Sequence, residues 1–363
     1  MNMSTTSIIK QLLVLFLIFA GLHYAKSFLM PLCIGGVLAT LFVPFCQWME
    51  NKKLPKGLAA LLCLLVFLLA VAFVTAMLGW QISGLTNDFS LLKQKFITNV
   101  GILQEYIFNQ LGVSTEKQSK ILRDEQPSLT NIITTLAGSV ARLFTNFILV
   151  LAYIFLLLYY RVHIRHFLVK LTPASQRNEM EQVISGVTKV SQQYLVGLTK
   201  MIICLWIMYT IGFTLVGVKN ALFFAVLCGL LEIVPFIGNI TGTILTVLVA
   251  AVEGAGIPML AGIIAIYAAI QFIQGWVLEP IILGPQVRIN PLSTVLALVL
   301  GEIVWGIPGI FLAIPLIAMF KIICDHIDSL KPYGFLIGTI ETEKHEMNII
   351  KRTRHWYGRH LQK

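Results

Sequence analysis

Four carboxylates lie in or beside the long apolar segments of the C-terminal half: Glu232, Glu253, Glu279 and Glu302. A carboxylate at membrane depth is costly unless it is paired, protonated or hydrated, so such residues are functional candidates by default. Their chemistry would be the binding and release of a proton or of a cation. We therefore take Glu232, Glu279 and Glu302 as candidate transport residues, whereas Glu253 stands beside glycines in a turn and is expected to be solvated.

Glu232 is the strongest of these candidates because the apolar segment breaks directly after it, at Pro235, Gly238 and Asn239. A broken membrane helix leaves backbone carbonyl and amide groups free to bind ions and substrates. The sequence leaves an alternative open, since a glutamate at a helix end on the membrane surface costs little.

Glu279 precedes Pro280, and the residue before a proline favours an extended backbone over a helix. Arg288 is the expected ion-pair partner of Glu279 at an outer gate, although an exposed ion pair in a loop would give the same sequence. Glu302 lies between Gly301 and Gly306 and is expected near the outer interface of the membrane.

Gln271 and Gln274 are three residues apart, which places both side chains on one face of a helix. They could line a polar pathway, and the commoner alternative is a hydrogen bond to a neighbouring helix. Further residues that interrupt helices or permit close helix contact complete the set of pathway and helix-break candidates: Gly284, Asn290, Pro291, Gly301, Gly306, Gly309 and Pro315.

The sequence shows no motif of a soluble enzyme or of an ATP-driven pump. It contains no HExxH zinc motif, no phosphate-binding loop of the GxxxxGK[ST] type and no evident nucleophile–base set. Its six cysteines include no CxxC pair and lie in apolar segments or at their ends, where a cysteine behaves as a small hydrophobic residue. We expect no enzymatic activity, no cofactor and no metal site.

The composition is that of a membrane protein. Hydrophobic residues make up 57% of the 363 residues and charged residues 12%, against about 25% charged residues in ordinary soluble domains. The apolar residues form unbroken runs of the length of a membrane helix. The sequence predicts an all-α polytopic membrane protein with about eight transmembrane helices, with broken or re-entrant helices in the C-terminal block and an amphipathic helical insert.

The net charge of +10 follows from basic residues beside the apolar spans. It therefore indicates orientation in the lipid bilayer, and no nucleic-acid partner is expected. Arg161, His163, Arg165 and His166 predict a patch that contacts lipid headgroups. The distribution of Lys and Arg predicts that both termini are cytoplasmic and that Arg288 lies on the outer side.

The chain divides into five predicted regions, each with its own hydrophobic pattern. They are the first three spans over 1–82, an amphipathic extramembrane helical insert over 83–140, a fourth span with a basic cytoplasmic amphipathic helix over 141–200, a transport core of spans five to eight over 201–324, and a polar basic tail over 325–363.

Several short segments of the C-terminal block have the order and spacing found in a known family. They are Glu232 to Gly238, Gln271 to Gln274, Asn290 to Leu292, Gly301 to Gly309 and Ala313 to Leu316. With these segments the chain resembles the autoinducer-2 exporter family of bacterial membrane proteins. One departure is Gln274-Gly275, which stands where the family commonly has an acidic residue.

The resemblance implies a secondary transporter or exporter in the bacterial inner membrane. It implies a small polar solute similar to autoinducer-2, coupling to the proton gradient, and a homo-oligomeric assembly. Other members look like sodium or lithium/proton antiporters, which is one alternative for this chain. An alternative of another class is a non-transporting membrane scaffold that acts through residues 83–140.

Overall fold

The computed structural model describes residues 5–86, 129–235, 237–283 and 289–339. Most of the predicted insert over 83–140 and the chain beyond residue 339 lie outside these ranges. The scaffold hypothesis depends on the insert and therefore stays a prediction. Within the described ranges the regular elements are helices, apart from an isolated bridge between Ile289 and Gly338. The expected all-α polytopic class is confirmed.

The described ranges contain eleven α-helices. They are α1 (Thr5–Tyr24), α2 (Lys26–Asn51), α3 (Lys56–Thr86), α4 (Leu129–Leu171), α5 (Arg177–Val216), α6 (Ala221–Leu231), α7 (Ile237–Val252), α8 (Ile257–Ile273) with a π-helical extension (Gln274–Leu283), α9 (Pro291–Trp305), α10 (Ile307–His326) and α11 (Lys331–Ile337). Six of them are long and apolar enough to cross a membrane, namely α2, α3, α4, α5, extended α8 and α10.

Helix α5 forms a continuous rod of 40 residues, about 60 Å long. We expected a cytoplasmic amphipathic helix to end near Lys200 and span five to begin at Met201, but the helix passes this point without a break. Ser191, Tyr194 and Leu198 are buried, so the inward face of the basic segment continues the inward face of the span. No proline interrupts the helix, which explains why the two predicted elements are one.

Helices α6 and α7 form a hairpin. A Cβ atom on Gly242 would lie 2.8 Å from Cys228 Sγ, and one on Gly238 would overlap the backbone of Leu231, so the two helices touch backbone to backbone. Helix α6 has only 11 residues, which corresponds to about 16 Å, roughly half of a hydrocarbon core. A helix of this length that starts at the membrane surface ends about halfway through the hydrocarbon core, so we expect the hairpin tip, which carries Glu232, at that depth.

Helices α9 and α10 form a second hairpin where we expected one interrupted span from Pro291 to Ile323. Gly306 turns the chain with φ +67°, a backbone conformation that favours glycine. Cβ atoms on Gly301 or Gly309 would overlap the backbone of the opposite helix. At the tip, the Trp305 indole donates a hydrogen bond of 3.0 Å to the carbonyl of Leu22 in α1.

The α6–α7 hairpin changes the topology expected from the sequence. Helices α5 and α8 run antiparallel, since Gly262 packs on Val216 at one end and Gly197 packs on Leu283 at the other. The residues on either side of 284–288 therefore lie at the end of the molecule that carries the basic part of α5. We expected one crossing in span six, whereas the hairpin returns to the end from which it enters. Arg288 itself lies outside the described residues.

The predicted tail over 325–363 begins as folded structure, because α11 packs back on the bundle with Gly334 and Ile337 buried. Asn290 connects it to α9. Its Oδ1 accepts a hydrogen bond from the Ser293 amide at 2.8 Å, and its Nδ2 donates to the carbonyls of Leu336 and Gly338 at 2.6 and 3.0 Å. Asn290 therefore caps a helix and holds the C-terminal segment.

The backbone contact between α9 and α10 can be tested with Gly309→Ala, whose new methyl group would collide with Gly301. Forced overpacking costs roughly 1–3 kcal/mol, so we expect a lower melting temperature in detergent. Gly79→Ala is the matched control, because nothing lies within 4 Å of its Cβ position, and its melting temperature should equal or slightly exceed that of the wild type. Equal melting temperatures for the two variants would contradict this packing.

Candidate functional site

A network of polar side chains joins the tip of the α6–α7 hairpin to the end of α8. Gln274 Nε2 donates a hydrogen bond of 2.6 Å to Glu232 Oε1 and one of 3.4 Å to Glu279 Oε1. Asn239 Nδ2 donates to the side-chain oxygens of Gln274 at 3.0 Å and of Gln271 at 3.2 Å. The structure thus brings together five of the residues that the sequence singled out.

The centre of this network is buried, whereas Gln271 and Glu279 at its edge are partly exposed. The exposed fraction is 6% for Glu232, 0% for Asn239 and 1% for Gln274. The surrounding core contains buried residues of α5, α6 and α8, such as Leu205 and Ile263. Because a hydrogen bond is stronger in such an apolar setting and a missing partner is more costly, the network determines how these helices meet.

The hydrogen bonds of the network all point in one direction. The Asn239 amide donates to the two glutamine oxygens, and the Gln274 amide donates to the two carboxylates. Each carboxylate therefore receives a donor from a neutral side chain. No ion pair to Glu232 occurs among the residues in the described ranges.

Four buried oxygen atoms in this region have no hydrogen-bond partner among the described residues: Tyr209 OH, Glu232 Oε2, Asn239 Oδ1 and Thr243 Oγ1. Buried polar groups are nearly always hydrogen-bonded, so such atoms mark places where water, an ion or a ligand binds. The free Glu232 and Asn239 oxygens belong to the two residues that Gln274 bridges. The arrangement can accept a proton, coordinate a cation or accept hydrogen bonds from a polar solute.

Sequence reasoning missed Tyr209 and Thr243. Thr243 follows Asn239 by four residues on α7, so helical spacing from Asn239 could have identified it. Tyr209 belongs to α5, and only the tertiary packing of α5 against the hairpin brings it to the site. No local pattern in the sequence distinguishes it from other buried aromatic residues.

Gln274 stands at the point where α8 changes from an α-helix to a π-helix. The prediction that Glu279 leaves the helix before Pro280 is wrong, because both residues lie inside the π-helix, which extends to Leu283. The wider π turn tolerates the missing amide and the ring of the proline, and π-helical turns are frequent at functional sites.

The remaining predicted residues lie elsewhere. Glu302 is exposed on α9, a helix that packs against α1, α2 and α10. Gly301, Gly306 and Gly309 build the second hairpin, Pro315 is buried within α10, and Asn290 and Pro291 begin α9. Gly284 and Arg288 lie outside the described residues, and the expected pairing of Arg288 with Glu279 therefore stays a prediction.

Comparison with known proteins gives a consistent result. The family model described as AI-2E family transporter matches residues 12–329. The chain is 27% identical to YueF of Bacillus subtilis (strain 168) over 313 residues, which covers 82% of this chain and 84% of that protein. It is 22% identical to the AI-2 transport protein TqsA of Escherichia coli (strain K12) over 346 residues, covering 93% of this chain and 96% of that protein.

Replacing Gln274 by Met removes the side chain that holds the network together. Glu232 and Asn239 then lose a partner inside the protein, which costs roughly 1–3 kcal/mol for each unsatisfied buried group. Gln271→Met is the matched control, because Asn239 keeps its bond to Gln274. We expect a clearly larger fall in melting temperature for Gln274→Met, and equal falls would show that the two glutamines contribute alike.

Proposed function

The chain belongs to the AI-2E transporter family, and on that premise we propose that it is a secondary transporter that exports a small polar solute of the autoinducer-2 kind by use of the proton gradient. In this proposal Glu232 is the group that binds and releases the proton. The observation that carries it is a buried carboxylate at the tip of the α6–α7 hairpin that has an oxygen atom without a hydrogen-bond partner and no ion pair among the described residues.

Proton binding follows from the cost of charge in an apolar environment. An ionised carboxylate that is buried without a counter-charge is unfavourable, and such groups in membranes typically take up protons or bind cations. The Gln274 amide donates to Glu232 Oε1 at 2.6 Å, which supports the ionised form when the site is hydrated. When the site is closed to water, protonation of Glu232 at the free Oε2 removes its charge. Proton binding to Glu232 can therefore be coupled to the opening and closing of the site.

Recognition of a polar solute is supported by the free acceptors around Glu232. Asn239 Oδ1 and Thr243 Oγ1 on α7 are buried and have no hydrogen-bond partner in the part of the chain that the structure describes. Hydroxyl groups of a small solute can donate hydrogen bonds to these oxygens. The printed name of TqsA, a relative along nearly the whole chain, supports a solute of the autoinducer-2 kind.

A sodium or lithium/proton antiporter is the second candidate, and one specific observation favours it. The unpartnered atoms of Glu232, Asn239 and Thr243 are all oxygens, and oxygen ligands suit hard cations. In this alternative the cation and the proton compete for Glu232, whereas in the exporter the proton and the solute use different atoms of the site.

We further propose that the protein resides in the bacterial inner membrane as a homo-oligomer with both termini cytoplasmic. The orientation is supported by Lys52, Lys53 and Lys56 between α2 and α3, and by Arg161 and Arg165 at the same end of α4. Positive residues in short loops beside membrane helices are retained on the cytoplasmic side. We call this end of the molecule the basic end.

Glu232→Gln tests the proposed role of the carboxylate. Glutamine keeps the size and the hydrogen-bonding capacity but does not titrate, so we expect gradient-driven flux to fall at least about tenfold while the protein remains folded. The measurement is proton flux in proteoliposomes that contain a pH-sensitive dye, after addition of autoinducer-2 and a panel of polar solutes, then sodium, then lithium.

Asp328→Asn is the control for the loss of one carboxylate, because Asp328 pairs with Lys331 on the exposed surface, and its flux should match the wild type. Solute-dependent proton flux that is lost in Glu232→Gln supports the exporter. Proton flux that responds only to sodium or lithium supports the antiporter. Normal coupled flux in Glu232→Gln would contradict both proposals.

A further inference from the structure

A cavity of about 360 Å³ opens between α2, α4 and α5 at the basic end. Its polar lining comes from all three helices and includes Gln47, Arg161, Arg165, Ser185, Thr188 and Lys189. Three of these side chains are cationic, and the lining within the described part of the chain includes no carboxylate. This cavity is separate from the Glu232 network, which lies between the α6–α7 hairpin and α8.

The cavity lies at the depth expected for lipid headgroups. Gln47 precedes Trp48 on α2, and Lys52 Nζ lies 3.9 Å from the centre of the Trp48 ring, which is 52% exposed. Tryptophan rings concentrate at the boundary between hydrocarbon and water. On α4 the apolar span ends at Arg161, where basic residues begin. This change marks the same depth in the membrane on the wall of the cavity that α4 forms.

Positive charge remains available in this cavity. Arg161 pairs with Glu50 and also donates a hydrogen bond of 3.0 Å to the Leu158 carbonyl. Arg165 Nη2 lies 3.5 Å from Glu181, with both side chains about half exposed, so that pair is weak. Lys189 forms no ion pair within the described ranges, so its charge is uncompensated by a side chain.

Apolar side chains complete the walls, among them Val43, Pro44, Val162 and Ile184. A free inorganic anion would leave these surfaces unused, whereas a lipid places its phosphate among the cations and its glycerol and first acyl carbons against the apolar walls. Basic pockets between membrane helices bind anionic lipid headgroups in this way. We propose that this cavity binds the phosphate headgroup of an anionic membrane lipid.

A lipid bound here contacts three helices that otherwise meet through few polar interactions. The hydroxyls of Thr40 in α2 and Ser191 in α5 form a hydrogen bond of 2.8 Å about one helical turn deeper than Pro44 and Thr188, which line the cavity. Charge-assisted bonds from α4 and α5 to one phosphate hold the same helices together at the surface. The bound lipid therefore stabilises the α2–α4–α5 unit against heat.

The test uses the purified full chain in a neutral detergent, with the double variant Arg165→Gln/Lys189→Gln. Lys170→Gln/Arg177→Gln is the matched control, since it removes the same charge at the same end from residues that do not line the cavity. Arg161 is left unchanged because its loss would strand Glu50. Native mass spectrometry and melting temperature are measured with phosphatidylglycerol, with phosphatidylcholine and with soluble glycerol phosphate, and circular dichroism verifies that both variants fold.

We expect the wild type and the control to retain phosphatidylglycerol and to melt at a higher temperature with it, but not with phosphatidylcholine. The cavity variant should bind phosphatidylglycerol roughly 30-fold more weakly, since each basic side chain contributes about fivefold to affinity for anionic lipid. Equal weakening in both variants, or no preference over phosphatidylcholine, would overturn the proposal. Binding of glycerol phosphate as tight as that of the lipid would also overturn it and assign the cavity to a soluble phosphate.

Discussion

The hydrogen bond from Gln274 to Glu232 is the interaction on which the C-terminal half depends. It joins the tip of the α6–α7 hairpin to the point where α8 becomes a π-helix. Burial of a carboxylate or an amide in an apolar interior is costly unless the group is hydrogen-bonded, so this contact favours the position at which the hairpin tip meets Gln274.

Close backbone contacts make both hairpins possible. Without water, helix association in a membrane relies on packing, and small residues allow helices to approach closely. Gly242 against Cys228 and Gly301 against Gly309 are such contacts. They compensate for the short length of α6 and α9, which cannot reach across a hydrocarbon core alone. In the α6–α7 hairpin they also allow the polar tip to face the interior of the bundle.

The interior network and the basic end of the molecule differ in their electrostatics. The interior network around Glu232 holds polar groups whose partners are incomplete, which is the condition for binding something that comes and goes. The basic end carries a cluster of positive charges, where Arg161 and Glu50 pair and where we propose that the cavity between α2, α4 and α5 binds a lipid headgroup. Helix α5 connects these two regions, because its basic half lines the cavity and its apolar half packs on the hairpin.

The sequence alone was sufficient for the class of protein, because long apolar runs are typical of membrane helices. It also singled out Glu232, Asn239, Gln271, Gln274 and Glu279, because polar groups in such runs are rare, and the structure brings these side chains together. The tertiary structure decided the rest. Proline and glycine in an apolar run mark a break without telling whether the chain continues across or folds back, since that depends on which backbones pack together. Likewise, Tyr209 and the pairing of Arg161 with Glu50 come from helices far apart in sequence, and only their packing brings them into contact.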